Sequence, residues 1–484
     1  MIKKLKGLLL TNQTIRQTIF KNTFWLTVSN IGGRLLRAII IIYGARILGA
    51  HNWGIFSYVL SLTAFLTIFT DFGITPLLTR ENSKIRNGTN QTLVATSFGL
   101  KLILLVLAIS LMFAITPSLT NLEGINMFLP FAALILAFDT LREFGFSLIR
   151  AREKMEMEAF LFIFTNVAIV LGGFIWLEYK PTALALAYAY ALGTGLGAAA
   201  TFFILRNSFK NLHKYFVWQN AWPILRTAWP FALSGLLGGI MINTDTLLIG
   251  LFRSAEELGW YSVAQRPIQM LYLLPIVLAS SLFPLFARLA NENRVKLGQA
   301  IQTSTRILLL VGIPIAVGAI ITAKPLINLV FGVEYARAVP SFTVLALTLL
   351  INFPAVLLSN VLFAADQQKT LVRYFALGAG VNILLDLLFI PNFGIVGSAW
   401  ATLFSQVLSN LYLWYHVRKI TSFRILPELP RIILATSGMA IYLLIFKLTT
   451  WPILLIISGA ILIYFTLIYL LKEPLLKELK LILR

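Results

Sequence analysis

Long apolar segments, separated by short polar connections, follow one another along almost the whole chain. Hydrophobic residues make up 58% of its 484 positions and charged residues only 12%, whereas a typical soluble protein has about 25% charged residues. A helix needs about 20 mostly apolar residues to cross a bilayer. Because backbone groups in lipid must be satisfied within the segment, these runs predict membrane-spanning helices and not the alternating strands of an outer-membrane barrel.

The positions of these segments predict an all-α polytopic membrane protein with about fourteen transmembrane helices. None of the polar connections is long enough to form a soluble domain. The predicted spans are residues 22–45, 54–77, 92–116, 126–149, 158–177, 182–205, 227–251, 259–287, 302–322, 338–363, 372–390, 394–416, 430–447 and 451–471.

The basic residues indicate on which side the ends of the chain lie. The N-terminal tail, every second connection and the C-terminal tail hold most of the 40 lysines and arginines. Because positive loops stay in the cytoplasm and an even number of spans returns the chain to its starting side, we predict a multi-pass protein of the inner or plasma membrane with both termini cytoplasmic. The net charge of +21 is then a topology signal beside anionic headgroups and requires no nucleic-acid partner.

Short sequence elements recur in the same order in the two halves of the chain. Gly54-Ile55-Phe56-Ser57 has a counterpart in Gly259-Trp260-Tyr261-Ser262, at an offset of roughly 205 residues. Later matches keep this offset to within about five residues, which corresponds to six helices. Because six is even, both halves share one membrane orientation and are related by a two-fold axis along the membrane normal. The predicted domains are one six-helix lobe in 1–215, a second in 216–420, and two additional helices with a cytoplasmic tail in 421–484.

The first predicted span carries a polar face within an apolar segment. Its members recur at steps of four and three and therefore share one side of a helix. An arginine near the middle of a membrane helix costs at least about 2.5 kcal/mol and faces a protein interior or a water-filled cavity. One interpretation pairs these arginines with carboxylates inside the bundle; the other, which we favour, places them on the wall of a cationic cavity. The polar face comprises Thr23, Thr27, Asn30, Arg34 and Arg37.

The eighth predicted span has a similar polar face. Ser262, Arg266 and Gln269 are spaced by four and three residues, and Gln265 adjoins Arg266. Pro267 follows the arginine and can kink or open the helix. The symmetry of the repeat therefore predicts a second buried cation in the second half of the chain.

Carboxylates in the spans are candidates for ion coupling. Asp71, Asp245 and Asp386 lie in the second, seventh and eleventh predicted spans, and proton or sodium coupling would need such an acid. Each could equally balance an arginine. We predict no cofactor and no metal site, because the chain has no cysteine, only three histidines and no nucleotide-binding loop of the GxxxxGK[ST] type.

Several short motifs are distributed along both halves of the chain. They are ARILG at 45–49, WGIFS at 53–57, DFG at 71–73, RE at 80–81, GWY at 259–261, FG at 331–332 and IPNFGIVGSA at 390–399. Together they resemble the signature of polysaccharide-biosynthesis flippases, the Wzx-type branch of the multidrug/oligosaccharidyl-lipid/polysaccharide exporter superfamily. The resemblance covers nearly the whole chain, and none of its motifs identifies a sugar.

The resemblance implies a V-shaped fold of two lobes that alternates between inward-open and outward-open states. It also implies a cargo, an oligosaccharide on a polyprenyl pyrophosphate, which moves to the outer leaflet for cell-surface polysaccharides such as the O-antigen of lipopolysaccharide, with polysaccharide polymerase machinery as a partner. In related flippases of lipid-linked peptidoglycan precursors, arginines of the first and eighth helices contact the cargo. Arg37 and Arg266 fall at similar places here, and Arg34 is the alternative to Arg37.

Physical chemistry favours the same function. Pyrophosphate and sugars cannot cross hydrocarbon unaided, because their polar groups would lose water without replacement. A cavity lined by Arg34, Arg37 and Arg266 would donate charge-assisted hydrogen bonds to the diphosphate. The predicted sugar contacts are Asn30, Gln265 and Gln269.

Two other functions compete with this one. A multidrug exporter of the same superfamily would favour an acidic cavity for its cationic drugs, whereas the polar faces here are basic. A membrane-embedded glycan-transfer enzyme would need a large outer loop with catalytic acids or histidines, and the connections are too short for one.

Overall fold

The computed structural model describes residues 14–85, 90–424, 429–447 and 451–473, together with Leu10. All regular secondary structure in these ranges is helical, which confirms the predicted all-α fold. Most of the basic N-terminal and C-terminal tails that carry the topology prediction lies outside the described residues. The helices are α1 (Ile15–Asp71), α2 (Ile74–Ser83), α3 (Gln91–Leu119), α4 (Leu129–Ala151), α5 (Met155–Tyr179), α6 (Ala183–Ile204), α7 (Ala221–Phe252), α8 (Ala255–Leu271), α9 (Leu273–Glu292), α10 (Arg294–Val330), α11 (Val339–Ala364), α12 (Gln368–Ile420), α13 (Leu429–Phe446) and α14 (Ile453–Leu470), with a one-turn helix at Arg206–Phe209 between α6 and α7.

The number of spans agrees with the prediction once the longest helices are counted twice. Within the described ranges, 11 helical stretches are long and apolar enough to cross a membrane. Those in α1 and α12 have 55 and 53 residues, which is about 80 Å at 1.5 Å per residue. Because a bilayer core is about 30 Å thick, each provides two crossings. Helix α4 has the length of a further span, although it carries Asp139, Arg142 and Glu143.

Each of the two longest helices is interrupted at a glycine. Gly49 in α1 has φ 70° and ψ 169°, and Gly394 in α12 has φ 60° and ψ −145°. Side chains with a Cβ are strained at positive φ, so glycine is the residue suited to these breaks. The connection predicted at 46–53 is therefore wrong: this stretch is helical apart from Gly49. A single glycine therefore makes the break at which the sequence predicted a loop.

The first compact unit comprises Met1–Gly259. Within it, α1 packs against α3, α4, α5, α6 and α7. Trp53 and Phe56 are fully buried, and the Phe56 ring contacts the Tyr190 ring edge-on at 5.1 Å between centroids. This aromatic packing anchors α1 in the unit and thereby sets which of its faces is buried.

The second compact unit comprises Trp260–Arg484. Its last two helices pack together and against α10, where the Tyr464 hydroxyl donates to the Leu310 carbonyl at 2.6 Å and buried Arg306 pairs with buried Glu473. The polar stretch 288–301, expected as a connection, is helical on both sides of Asn293, which caps α10. The predicted lobe boundary at 215 and the two-fold repeat stay predictions.

Candidate functional site

Helix α1 presents three different faces between residues 20 and 40. Because 3.6 residues make one turn, each face is a separate stripe along the helix. The first stripe is exposed and apolar: Phe20, Phe24, Ile31, Leu35 and Ile39. The second is buried: Ser29, Gly33 and Ile40. The third is polar and at least partly exposed: Thr23, Thr27, Asn30, Arg34 and Arg37.

Only the apolar stripe suits contact with lipid tails. Arg34 and Asn30 are exposed and Arg37 is half-buried, and charged groups in hydrocarbon are costly. Since the polar stripe is displaced around the helix from the apolar one, lipid can cover one stripe without covering the other. The first unit therefore carries an exposed cationic face on a membrane helix.

Arg37 is held in place by an amide and not by an acid. Its Nε donates to Oδ1 of Asn166 on α5 at 3.2 Å. The amide nitrogen of Asn166 donates to the Phe162 carbonyl of its own helix at 2.8 Å, and Asn166 is only 1% exposed. At Gly33 a Cβ would lie 2.2 Å from the Phe162 ring, so glycine allows α1 and α5 to approach closely at this point. Arg34 lies about one turn from Arg37 on the same stripe.

Two buried membrane cations of the first unit, Lys101 and Arg142, are neutralised by carboxylates. Lys101 pairs with Asp71 at 2.7 Å, and Arg142 pairs with Asp139 at 2.8 Å. In the part of the chain that the structure describes, no carboxylate oxygen lies within 4.0 Å of the guanidinium of Arg34 or Arg37. Pairing inside the bundle, the alternative interpretation of these two arginines, is thus not what the structure shows.

The three candidate coupling acids have different surroundings. Asp71, at the end of α1, accepts hydrogen bonds from Lys101 and from the Thr75 hydroxyl. Asp245 on α7 is 1% exposed and Asp386 on α12 is fully buried. Asp71 and Asp245 belong to the first unit and Asp386 to the second. The sequence suggested an arginine as the balancing partner of Asp71; the partner is a lysine from α3.

The second group of predicted cargo residues lies on α8 in the second unit. Gln265, Arg266 and Gln269 are all half-buried. Pro267 instead lines an apolar cavity of 610 Å³ together with residues of α10, α11, α13 and α14. The helix continues through Pro267 and ends at Leu271. One face of α8 is therefore polar, and the neighbouring face is apolar.

Two partners of the charged residues were not predicted from the sequence: Asn166, which holds Arg37, and Lys101, which pairs with Asp71. Asn166 is an isolated amide in apolar α5, and Lys101 is an isolated cation in apolar α3. A polar residue inside a span is expensive and has a partner by default, so both isolated polar residues were signals that could have been followed. Their partners, Arg37 and Asp71, are far away in sequence, and spacing within one helix does not reveal them.

The chemistry of the site suits a phosphorylated ligand. Planar guanidinium groups donate two parallel hydrogen bonds to phosphate oxygens, and among the described residues no carboxylate oxygen within 4.0 Å competes for those of Arg34 and Arg37. In the described residues, no group of three or more acidic or histidine side chains is arranged to hold a metal ion.

Comparison with known proteins gives matches to two families and to related sequences. Residues 19–290 match the family described as polysaccharide biosynthesis protein, and residues 230–388 match the MatE family. The probable low-salt glycan biosynthesis flippase Agl15 of Haloferax volcanii is 24% identical over 411 residues, which cover 83% of this chain and 84% of the relative.

Comparison with solved structures gives the same fold. The lipid II flippase MurJ in an inward closed conformation has a TM-score of 0.77 at 17% identity and covers 93% of this chain and 99% of its own. An inward-facing multidrug resistance MATE family transporter of the MOP superfamily has a TM-score of 0.59 at 16% identity and covers 87% of this chain and 98% of its own. At such identities the likeness establishes the fold.

Proposed function

The chain belongs to the polysaccharide biosynthesis protein family, and from this premise we propose that it is a flippase, a transporter and not an enzyme, for an oligosaccharide carried on a polyprenyl pyrophosphate. The cargo moves from the cytoplasmic to the outer leaflet by alternating access, with both termini in the cytoplasm. Its similarity to a probable glycan biosynthesis flippase and to a lipid II flippase supports this cargo class.

The observation that carries the proposal is the polar stripe of α1. Arg34 and Arg37 stand on a membrane helix with access to solvent and without a carboxylate in contact within the described residues. A diphosphate supplies the negative charge that this face lacks. When the diphosphate loses water, hydrogen bonds from the guanidinium groups replace those from water and offset the cost of desolvating the diphosphate. We assign the sugar contacts to Asn30, Gln265 and Gln269, and a second phosphate contact to Arg266.

The direct test is to measure binding of a purified polyprenyl-pyrophosphate oligosaccharide to the full-length protein. We expect Arg37→Gln to weaken binding roughly 10- to 100-fold, the equivalent of one charged hydrogen bond. Arg46→Gln is the matched control, because Arg46 is an exposed arginine on the same helix whose position continues the apolar stripe. Equal affinities of Arg37→Gln and wild type would remove Arg37 from the cargo site.

A multidrug exporter is the second candidate, favoured by the MatE match and by the MATE structures. Its cargo would be an organic cation, which the guanidinium groups on α1 would repel. Mass spectrometry of lipids and small molecules that copurify with the protein separates the two functions. A bound organic cation, without any polyprenyl-linked sugar, would favour the exporter.

We extend the proposal to energy coupling and partners. Asp245 and Asp386 are the buried acids that we assign to proton or sodium coupling, with Asp71 as the alternative. The membrane potential also assists an anionic cargo leaving a cell that is negative inside, by about 2.3 kcal/mol per charge per 100 mV. The same proposal includes two further points. The cargo contributes to an O-antigen or another lipopolysaccharide component, and the protein associates with polymerase machinery.

The proposed repeat and alternating access are supported by a reciprocal contact in the first unit. At Gly54 a Cβ would lie 1.8 Å from the carbonyl oxygen of Ala255, and at Gly259 it would lie 2.1 Å from that of Ala50. The two contacts are equivalent under the repeat. Gly54 contacts Ala255, which is the counterpart of Ala50, and Gly259 contacts Ala50, which is the counterpart of Ala255. Backbone contact this close requires glycine in both segments.

A hydrogen-bonded pair with the same relation lies beside these glycines. His51 Nδ1 and Glu256 Oε1 are 2.7 Å apart, and the two residues are separated by 205 positions. If this contact opens in each transport cycle, cross-linking a His51→Cys/Glu256→Cys variant stops transport and reduction restores it. The chain has no native cysteine, so the two single-cysteine variants are clean controls. Undiminished transport by the fully cross-linked protein would contradict the opening.

A further inference from the structure

A groove of 600 Å³ lies in the second unit between α10, α11, α12 and α13. Arg418 and Arg424 belong to the end of this groove where α12 finishes, and Trp414 lines it one turn before Arg418. The volume is within the range of sites that bind small molecules and cofactors, about 300 to 1,000 Å³. The remaining lining residues are all apolar: Leu309, Ile313, Leu350, Pro354, Leu429 and Ile433.

Both arginines are held at the groove by the structure around them. The Arg418 guanidinium lies over the Trp414 ring at 5.6 Å, and that ring packs on the Phe423 ring at 4.9 Å. The backbone after α12 is tied to α10, because the Thr421 hydroxyl donates to the Arg294 carbonyl at 2.5 Å. The Arg424 backbone N–H donates to the Gln302 side chain at 3.4 Å. The two cations are therefore presented from an ordered segment.

Arg418 and Arg424 present two positive charges at this end of the groove. Both are exposed, and in the described ranges neither has a carboxylate oxygen within 4.0 Å. An apolar groove with two cations at one end matches a molecule with an acyl chain and an anionic head. Basic pockets between membrane helices bind anionic lipid headgroups for this reason.

We propose that this groove binds an anionic phospholipid of the surrounding leaflet. Its phosphate lies between Arg418 and Arg424, and an acyl chain fills the apolar part against Ile313 and Leu350. The lipid bridges α13 to α10, α11 and α12, so its binding stabilises the attachment of the C-terminal helices. The site is distinct from the proposed cargo residues, which lie on α1 and α8, and it does not rest on the function proposed above.

The test is a titration of full-length protein in detergent with short-chain phosphatidylglycerol or phosphatidylcholine, followed by native mass spectrometry and thermal unfolding. Phosphatidylglycerol binds and raises the unfolding temperature; phosphatidylcholine does so less. We expect Arg418→Gln/Arg424→Gln to weaken phosphatidylglycerol binding roughly 10- to 50-fold, because each basic residue near an anionic lipid contributes about 1 kcal/mol. Inorganic phosphate alone produces no rise, since it lacks the acyl chain.

The matched control is Lys369→Gln/Arg373→Gln, which removes the same charge from two exposed residues outside the groove lining and retains wild-type affinity. A second variant, Ile313→Trp, fills the groove while both arginines remain, and it loses phosphatidylglycerol binding while the protein stays monodisperse and helical. The proposal is overturned if the double arginine variant binds phosphatidylglycerol as tightly as wild type does. It is also overturned if phosphatidylcholine binds equally well, or if inorganic phosphate reproduces the stabilisation.

Discussion

Arg37 on α1 and Lys101 on α3 are both cations on membrane helices of the first unit, yet their surroundings differ. Lys101 is 2% exposed, pairs with Asp71 at 2.7 Å and lies 5.9 Å from the centre of the Phe144 ring. Arg37 is half-buried, and its hydrogen bond goes to the neutral amide of Asn166. Lys101 is thus neutralised by the protein itself, whereas no carboxylate of the described residues neutralises Arg37, and we propose that the anionic cargo does so.

The difference has an energetic consequence. Removing one partner of a buried ion pair leaves an uncompensated charge and costs about 3–5 kcal/mol. Removing a solvent-accessible cation leaves no such charge behind, and it even relieves the repulsion between Arg37 and Arg34. Stability and function should therefore separate: variants of the Lys101 pair lose folding, and variants of the polar stripe lose cargo.

The largest expected effect is on the stability of Asp71→Ala. This substitution strands Lys101 in the apolar interior and should lower the free energy of unfolding by about 3–5 kcal/mol, measured by denaturant unfolding in detergent. The double variant Asp71→Leu/Lys101→Met should recover most of that loss, because it buries no charge. Arg37→Gln should change stability by less than about 1 kcal/mol. If Arg37→Gln were as destabilising as Asp71→Ala, the distinction between scaffold and site would be wrong.

A smaller effect is expected at Asn166, where a substitution can remove the difference between the surroundings of Arg37 and those of Lys101. Asn166→Asp gives Arg37 a carboxylate partner, as Lys101 has, so cargo affinity should fall about as much as in Arg37→Gln, roughly 10- to 100-fold. Asn166→Leu removes only the positioning hydrogen bond and should cost about 3- to 10-fold.

Binding of the purified polyprenyl-linked oligosaccharide and thermal unfolding, measured on both Asn166 variants, test this prediction. Tighter cargo binding by Asn166→Asp than by wild type would show that Arg37 does not meet an anion.

The fold was largely predictable because membrane spans leave long apolar runs in the sequence. The helical class and the spans follow from hydropathy, and the polar stripe of α1 follows from steps of three and four. The breaks at Gly49 and Gly394 were not seen as such, since a left-handed glycine inside a helix has no local pattern that distinguishes it from a packing glycine. The separation of α8 from α9 next to Tyr272 was also not predicted.

The site was predictable only as far as one helix determines it. Arg34, Arg37 and Asn30 were recognised from their common stripe, and the roles assigned to them stay predictions. Arg142 and its partner Asp139 are three positions apart on one helix, so a pair of this kind is visible in the sequence. Pairs that join distant segments, such as Lys101 with Asp71, depend on which helices pack together, and no spacing rule supplies that information.

The smallest expected effect concerns Glu81, a surface carboxylate at the end of α2 that offers a third kind of pairing. Hydrogen bonds from Lys84 at 2.6 Å and from Arg80 lower the pKa of Glu81 below its ordinary value of 4.5. Because the pKa of Glu81 is lower in the folded protein, Glu81 binds protons more readily in the unfolded chain at pH values near its pKa. The stabilisation that is present at neutral pH is therefore lost as the pH falls through the folded-state pKa.

Lys84 is 62% exposed, so solvent and salt screen this pair, and Glu81→Gln should cost less than about 1 kcal/mol at neutral pH and low salt. The cost should shrink when the pH is lowered from neutral to about 3, and it should also shrink in about 1 M salt, where the screening length is only about 3 Å. Unfolding curves of wild type and Glu81→Gln at both pH values measure the difference. A cost above that of Asp71→Ala would mean that exposure does not govern what an ion pair contributes in this protein.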